Sequence, residues 1–240
     1  MLATLIVLRL QLPHQTLAVL LGVDRATITR AIGQIRPLLA ARGFAVPGQP
    51  TLRLRTLADV VAYAAANGVE LRIDGTETQV RRPRAHRPGR RAFISGKRKH
   101  NTLKPTVISD GQGRTLWAGA VRPGRMHDQT AVKTEGIADL LTQHPGVKVR
   151  VDEGYRGLAS AFAEQVTAPP RKPAKDAAGE LVAAYRQART GQSSRRICVE
   201  HAIAEHKHWR SLQRWLGRRE CFGQTYLAVA GLVSDRAARR

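Results

Sequence analysis

The chain has 240 residues, 42% of them hydrophobic, enough to bury a core of one catalytic-size domain with a small module and to exclude a basic tail. Its 40 Lys and Arg against 18 Asp and Glu leave a formal charge of +22, which would repel itself without a polyanionic partner, so nucleic acid is expected rather than membrane lipid. No apolar run approaches the ~18 residues of a membrane span, the opening MLATLIVLRLQLPHQ lacks the small-residue cleavage site of a signal peptide, and Cys198 and Cys221 lack metal-type spacing and suit free thiols in a reducing, cytoplasmic and nucleoid-associated setting.

In chain order, residues 1–45 read as helical and as a DNA-binding module. Within QTLAVLLGVDRATITRAIGQIRPLLAARG, a helix over about Thr16–Leu21 leads through Gly22-Val23-Asp24 into a second helix, the layout of a helix-turn-helix. Asp24 is placed to cap that second helix, and Gly22 tolerates the positive φ of the turn. Val23, Ile28, Ile32 and Ile35 form its buried stripe, while Arg25, Thr27, Thr29 and Arg30 point outward with the chemistry that reads phosphates and base edges. An ordinary helical hairpin is the alternative.

Ala45–Pro50, AVPGQP, reads as a linker, and residues 46–68 as linker plus a connecting helix over about Thr56–Asn67 closed by Gly68. From residue 69 to 240 the pattern becomes α/β. Val69–Ile73 alternate as a strand. Thr102–Ser109 and Thr115–Val121 form a hairpin through Asp110-Gly111. A helix over about Asp128–Gln143, a strand over Val147–Val151 and weak helix over Gly157–Glu164 follow. Helices over about Gly179–Thr190, Ser194–Leu216 and Tyr226–Arg239 complete the chain. Strand, two hairpin strands, helix, strand, then helices is the order of an RNase H-like layer, preceded here by a small all-α module.

In so basic a chain, well-placed acids are conspicuous. Two-metal phosphodiester chemistry needs several carboxylate oxygens converging on one point, because hard divalent cations prefer oxygen donors. Asp74 ends the strand VELRI and Asp152 the strand VKVRV, each with a glycine close behind. Each alone reads equally as a turn residue. Glu200 lies on a helix where, at 100° per residue, Arg196 sits about 40° to one side and Lys207 about 20° away, with Ile197 and Ile203 roughly 60° to either side. That places Glu200 half-buried on an inward face; a surface Arg196–Glu200 pair is the bland alternative. Glu205, about 140° round, points to solvent. Asp128 opens a helix as its N-cap or, with His127, supports the metals. From Arg81 to Lys104 stand ten Lys and Arg and no acid, expected as a DNA-backbone clamp with Arg81, Arg82, Arg84, Lys97, Arg98, Lys99 and Lys104 as contact candidates, with an ordinary solvated loop as the alternative.

These segments together resemble the DDE transposases of bacterial insertion sequences, of the Harbinger-related DDE superfamily endonuclease type. IDGTE at 73–77 is similar to the first-aspartate motif, and SGKRKHNTLK at 95–104 to the basic stretch after it. PGRMHD at 123–128 and VDEGY at 151–155 follow in the family's order, and RICVEHAIAEHK at 196–207 is similar to its Arg–Glu–Lys helix. The family often carries a tyrosine three residues before the arginine; here Ser193 stands there. The resemblance implies an RNase H-like fold behind a helix-turn-helix, and catalytic, metal-holding Asp74, Asp152 and Glu200. It implies two Mg²⁺ or Mn²⁺ ions, supporting Arg196 and Lys207, double-stranded DNA as partner, and a homo-oligomer that cuts and joins element ends. A helix-turn-helix regulator without chemistry, or an inactive transposase remnant, would share the front module and the charge.

Overall fold

A computed structural model describes residues 1–83 and 89–239. Three helices open the chain, α1 (Leu2–Leu10), α2 (His14–Leu21) and α3 (Arg25–Ala41). Gly22, at φ +63°, stops α2 in the left-handed conformation that a side chain disfavours, and α3 starts after Asp24. Asp24 occupies the N-cap position, but its side chain makes no capping bond. Ile28 and Ile32 are buried with Leu17 and Ala18 in a small core of this module. Ile35 packs partly against the main core, and Val23, read as part of the buried stripe, is instead 41% exposed.

The segment read as a linker is structured. β1 (Phe44–Val46) and β2 (Gln49–Leu54) form an antiparallel ribbon whose first strand is buried. The apolar Phe44, Ala45 and Val46 account for this: they outweigh the local Pro and Gly, which serve only the tight turn. α4 (Leu57–Asn67) follows, opened by a reciprocal Thr56–Asp59 capping box and closed by Gly68.

Two sheets come next. β3 (Leu71–Gly75) and β4 (Thr78–Val80) precede β5 (Thr102–Lys104) and β6 (Thr106–Ser109), and β7 (Thr115–Ala118) and β8 (Arg122–Pro123) follow. α5 (Asp128–Glu135), α6 (Ile137–Gln143), β9 (Val149–Val151), α7 (Arg156–Ala161) and β10 (Val166–Thr167) complete the layer. The main sheet runs β10-β9-β3-β6-β7, with β9 and β10 parallel to β3, β6 antiparallel to it, and β7 antiparallel to β6. This is the RNase H-like arrangement, with β3 central.

The stretch read as one strand over 102–109 is two. Pro105 offers no N–H to a ladder, and there the chain leaves one sheet for the other. β5 joins a second sheet with β4, β8 and a C-terminal strand, β11 (Arg214–Trp215), in the order β11-β4-β5-β8. Gly136, at φ +72°, likewise divides the helix read over 128–143.

The helices read as two over 179–216 are one long helix to Lys207, α8 (Gly179–Lys207), followed by the short α9 (Arg210–Gln213), β11 and α10 (Phe222–Ala237). Gly191 costs α8 only propensity, which the packing of Gln192, Val199, Ala202 and His206 outweighs. α10 is buried along most of its length and packs on both α3 and β7. The front module therefore sits directly on α10, the helix that covers β7 of the α/β layer. No helix among the described residues is long and apolar enough to cross a membrane.

His206 is fully buried between β7 and α10, its Nε2 2.9 Å from Thr115 Oγ1 and its Nδ1 2.9 Å from Tyr226 Oη. Burial, reinforced by the adjacent Lys207 ammonium, lowers its pKa from 6.5 to about 3. In the unfolded chain the imidazole takes a proton near pH 6.5, whereas in the folded chain it resists until about 3. Its stabilising contribution is thus complete above pH 6.5 and drains away as pH falls toward 3. We predict that lowering the pH from 7 to about 4.5 costs about 2–3 kcal/mol through this residue. Melting curves of a His206→Gln variant should show a flatter acid limb; an unchanged limb would contradict the assignment.

Candidate active site

Three acids far apart in sequence meet one guanidinium. Asp74 ends β3, Asp152 follows β9 on the neighbouring parallel strand, and Glu200 projects from α8. Arg196, one helical turn before Glu200, places Nη1 3.3 Å from Asp74 Oδ2 and 3.7 Å from Asp152 Oδ2, and Nη2 2.8 Å from Glu200 Oε1. The local i,i+4 pair therefore exists, but as one arm of a fork whose other arm holds both aspartates.

The convergence depends on how α8 is fastened to the sheet. Arg72, buried on β3, donates from Nε to the carbonyl of Arg195 at 2.9 Å, next to the arginine of the fork. Arg150 on β9 donates to Gln192 Oε1 at 2.9 Å. In the β6–β7 turn, a Cβ on Gly113 would stand 2.9 Å from the carbonyl oxygen of Cys198, so glycine lets that turn meet the helix backbone. Cys198 Sγ in turn donates to the carbonyl of Gly111 at 2.9 Å.

Burial raises the Asp74 carboxyl to about 6 against the lowering pull of Arg196, with Asp152 and Asp128 adding like-charge repulsion and the Gly75 amide hydrogen bond lowering it. Asp152 and Glu200 are more open, with side chains 46% and 53% exposed. This corrects the expectation of a half-buried Glu200: Val199 and Ala202 take the inward face of α8, and the glutamate stands at its rim. Glu205, expected in solvent, is partly buried and paired with Arg236 of α10, away from the fork.

Among the described residues, no three carboxylate, imidazole or thiol side chains stand ready to grip an ion. The guanidinium lies between the acids and supplies their countercharge. The donor chemistry nonetheless fits a hard divalent cation: carboxylate oxygens from three elements, one of them buried, drawn to a single positive group.

The supporting candidates divide. His127, not Asp128, is the N-cap of α5, its Nδ1 accepting from the Gln129 amide at 3.3 Å. Asp128 is the first helical residue, and its carboxylate lies at the two aspartate turns, accepting from Lys104 Nζ at 2.8 Å. Lys104 is thus committed to an acid, with only 13% of its side chain exposed, rather than free for phosphate. Lys207 is not brought to the carboxylates. Its ammonium donates to the carbonyls of Glu77 at 2.6 Å and Leu212 at 2.8 Å and to Thr78 Oγ1 at 3.1 Å, pinning β4 to the end of α8. Burial lowers its pKa to about 8.

Of the phosphate candidates, Arg81 and Arg82 are exposed at the end of β4. Lys97, Arg98 and Lys99 are exposed on a tight turn whose buried Ser95 accepts from the Arg98 and Lys99 amides at 3.0 Å. Arg84 lies outside the described residues. On the front module, Arg25, Thr27, Thr29 and Arg30 are all exposed, with the Thr29 hydroxyl 2.9 Å from His14 Nδ1.

Two features escaped the sequence reading. Parallel pairing of β11 with β4 brings Arg218 and Arg219 beside Arg81 and Arg82 around a cleft of about 480 Å³. Arg219 also stacks over the Phe93 ring at 4.4 Å, joining the two basic segments. The dibasic pair at 218–219 was the available signal. The second feature is Tyr155, 1% exposed, whose hydroxyl has no hydrogen-bond partner among the described residues. It ends the VDEGY motif, and nothing in that motif marks its hydroxyl as buried without a partner.

Replacing Arg196 with Ala should leave a partly buried Asp74 facing like charges, and cost the metal-free protein about 1–3 kcal/mol. A double-mutant cycle with Asp74→Asn, read by urea unfolding, should recover much of that loss. Strict additivity would show that the fork carries no coupling.

A family model described as DDE superfamily endonuclease matches residues 73–233, and one described as helix-turn-helix of DDE superfamily endonuclease matches residues 1–45. No curated protein matches the chain. No solved structure matches it.

Proposed function

The chain belongs to the DDE superfamily endonuclease family, and from that premise we propose that it is a transposase that binds element ends, cuts a DNA strand and joins the freed 3′-hydroxyl to target DNA. The observation that carries this reading is the meeting of Asp74, Asp152 and Glu200 on one guanidinium. A regulator that only binds DNA has no use for three acids gathered at the ends of two sheet strands and a docked helix.

In this reading Asp74, Asp152 and Glu200 hold two divalent ions, Mg²⁺ or Mn²⁺. Bound there, such ions would activate the attacking oxygen and stabilise the leaving one. Arg196 must then release the carboxylates, and its guanidinium, still close by, has a scissile phosphate as its natural new partner. Asp74 enters as a carboxylate already poor in solvent, which sharpens its attraction for a cation and its need of one. Lys207 acts at a distance, by fixing the β3–β4 connection against the end of α8.

The exposed face of α3 supplies the sequence reader through Arg25, Thr27, Thr29 and Arg30. Arg81, Arg82, Lys97, Arg98 and Lys99, with Arg218 and Arg219 beside the first two, supply a track for the phosphate backbone. Two ends of one element require two such centres, so the reading includes a homo-oligomer on double-stranded DNA.

Purified protein with Mg²⁺ or Mn²⁺ should nick DNA carrying the element's ends. Asp152→Asn should reduce nicking by at least about a thousandfold, as expected when a transition-state interaction is lost, while DNA binding persists. Equal nicking by variant and parent would remove Asp152 from the centre. In gel-shift titrations, Arg30→Ala should weaken DNA binding and lower the slope of log K against log salt by about 1; an unchanged slope would take Arg30 off the phosphates.

A further inference from the structure

Each aspartate motif carries a glycine, Gly75 directly after Asp74 and Gly154 two residues after Asp152. Neither has a positive φ, so backbone freedom does not explain them. Space does. A Cβ on Gly75 would stand 3.2 Å from Asp128 Oδ1 and 3.5 Å from the Tyr155 hydroxyl, and a Cβ on Gly154 would overlap Asp128 Oδ2. The carboxylate of Asp128 is thus lodged against both turns that carry the aspartates: a side chain at 154 would displace it from this position, and one at 75 would crowd it.

It is also held there. Lys104 Nζ donates to Oδ1 at 2.8 Å, and the pair is partly buried, with side chains 13% and 27% exposed. Beside it the Tyr155 hydroxyl is aimed at the same backbone turn, buried and without a hydrogen-bond partner among the described residues. A buried hydroxyl left bare is disfavoured, and a partner that arrives with a ligand relieves it. Mg²⁺ and Mn²⁺ keep several waters when bound by few carboxylates, and acids outside the ligand set orient those waters.

We infer that Asp128 is a positioning residue of the catalytic centre, which with the Tyr155 hydroxyl holds the water shell of the divalent ion bound by Asp74 and Asp152, and that Gly75 and Gly154 are there to admit it. This rests on the metal-dependent reading of the same site. Lys104 fixes one carboxylate oxygen of Asp128 and leaves the other for a water.

The test is Mn²⁺ binding to the full chain, followed by calorimetry and by water-proton relaxation of the bound ion. Asp128→Asn should weaken Mn²⁺ binding by about 10- to 100-fold and alter the relaxation of the ion that still binds, which a merely structural role would not do. Gly154→Ala, by displacing the carboxylate, should reproduce the loss, and the double variant should bind no worse than Gly154→Ala alone. Tyr155→Phe should weaken binding by roughly 3- to 10-fold, the loss of one hydrogen bond. Melting curves without metal identify any variant that fails to fold, and Asp128→Asn, which keeps the side-chain shape, carries the decision if Gly154→Ala is one of them. Parental Mn²⁺ affinity and relaxation in Asp128→Asn, with binding lost in Asp152→Asn, would overturn the inference and leave the metal-dependent reading intact. Parental binding in Asp152→Asn as well would overturn both.

Discussion

The contact on which the site depends is the fork of Arg196. Three carboxylates brought together in a partly buried place repel one another, and Asp74 suffers most because it is the most enclosed. A single planar guanidinium can satisfy all three, since its nitrogens point in fixed and different directions. A lysine in its place would offer one point charge and no such geometry. The guanidinium thus supplies the countercharge that lets the three acids stand together.

That arrangement is supported from behind. Arg72 and Arg150 come from the two strands that end in the aspartates, and both reach α8. The same pair shares Glu70, so one acid at the start of β3 steadies two arginines that fix the helix. The β6–β7 turn closes on α8 through Gly113, and His206 locks its far end to β7 and α10. The glutamate reaches the aspartates because a long helix is tied down at several points along its length. Its intrinsic helix propensity plays little part in that.

Much of this was legible in the sequence, for reasons that differ by element. β3 and β9 were readable because apolar alternation ends abruptly at an aspartate, and Gly22 and Gly68 because a left-handed stop favours glycine. The RNase H-like order of elements followed from the periodicities together with the Asp110-Gly111 turn signal. What could not be read was set by tertiary packing. Phe44–Val46 form a buried strand because α10 covers them, and nothing near residue 45 announces a helix almost two hundred residues on. Pro105 is visible in the sequence, yet the second sheet that receives β5 is assembled from β4, β8 and β11, which are too short to show a period. Helical spacing put Glu200 beside Arg196 correctly, but its exposure is decided by where the sheet edge falls, and the same spacing brought Lys207 onto the stripe although it lies two turns below the acids. Arg218 and Arg219 join Arg81 and Arg82 only through the pairing of β11 with β4.

The packing of α3 and β1 on α10 also bears on how the chain reaches its native state. Contacts between residues near 40 and residues near 230 close a very long loop, as in the hydrogen bond from the Ala45 amide to Ser234 Oγ across 189 residues. Loop closure of that size is entropically demanding and slows folding. During synthesis the front helices are made before their partner helix exists, so Phe44, Val46 and Leu39 remain uncovered until α10 has been added. The order of synthesis thus leaves the front module waiting on α10, with the apolar strand between them open to contact with other chains in the interval.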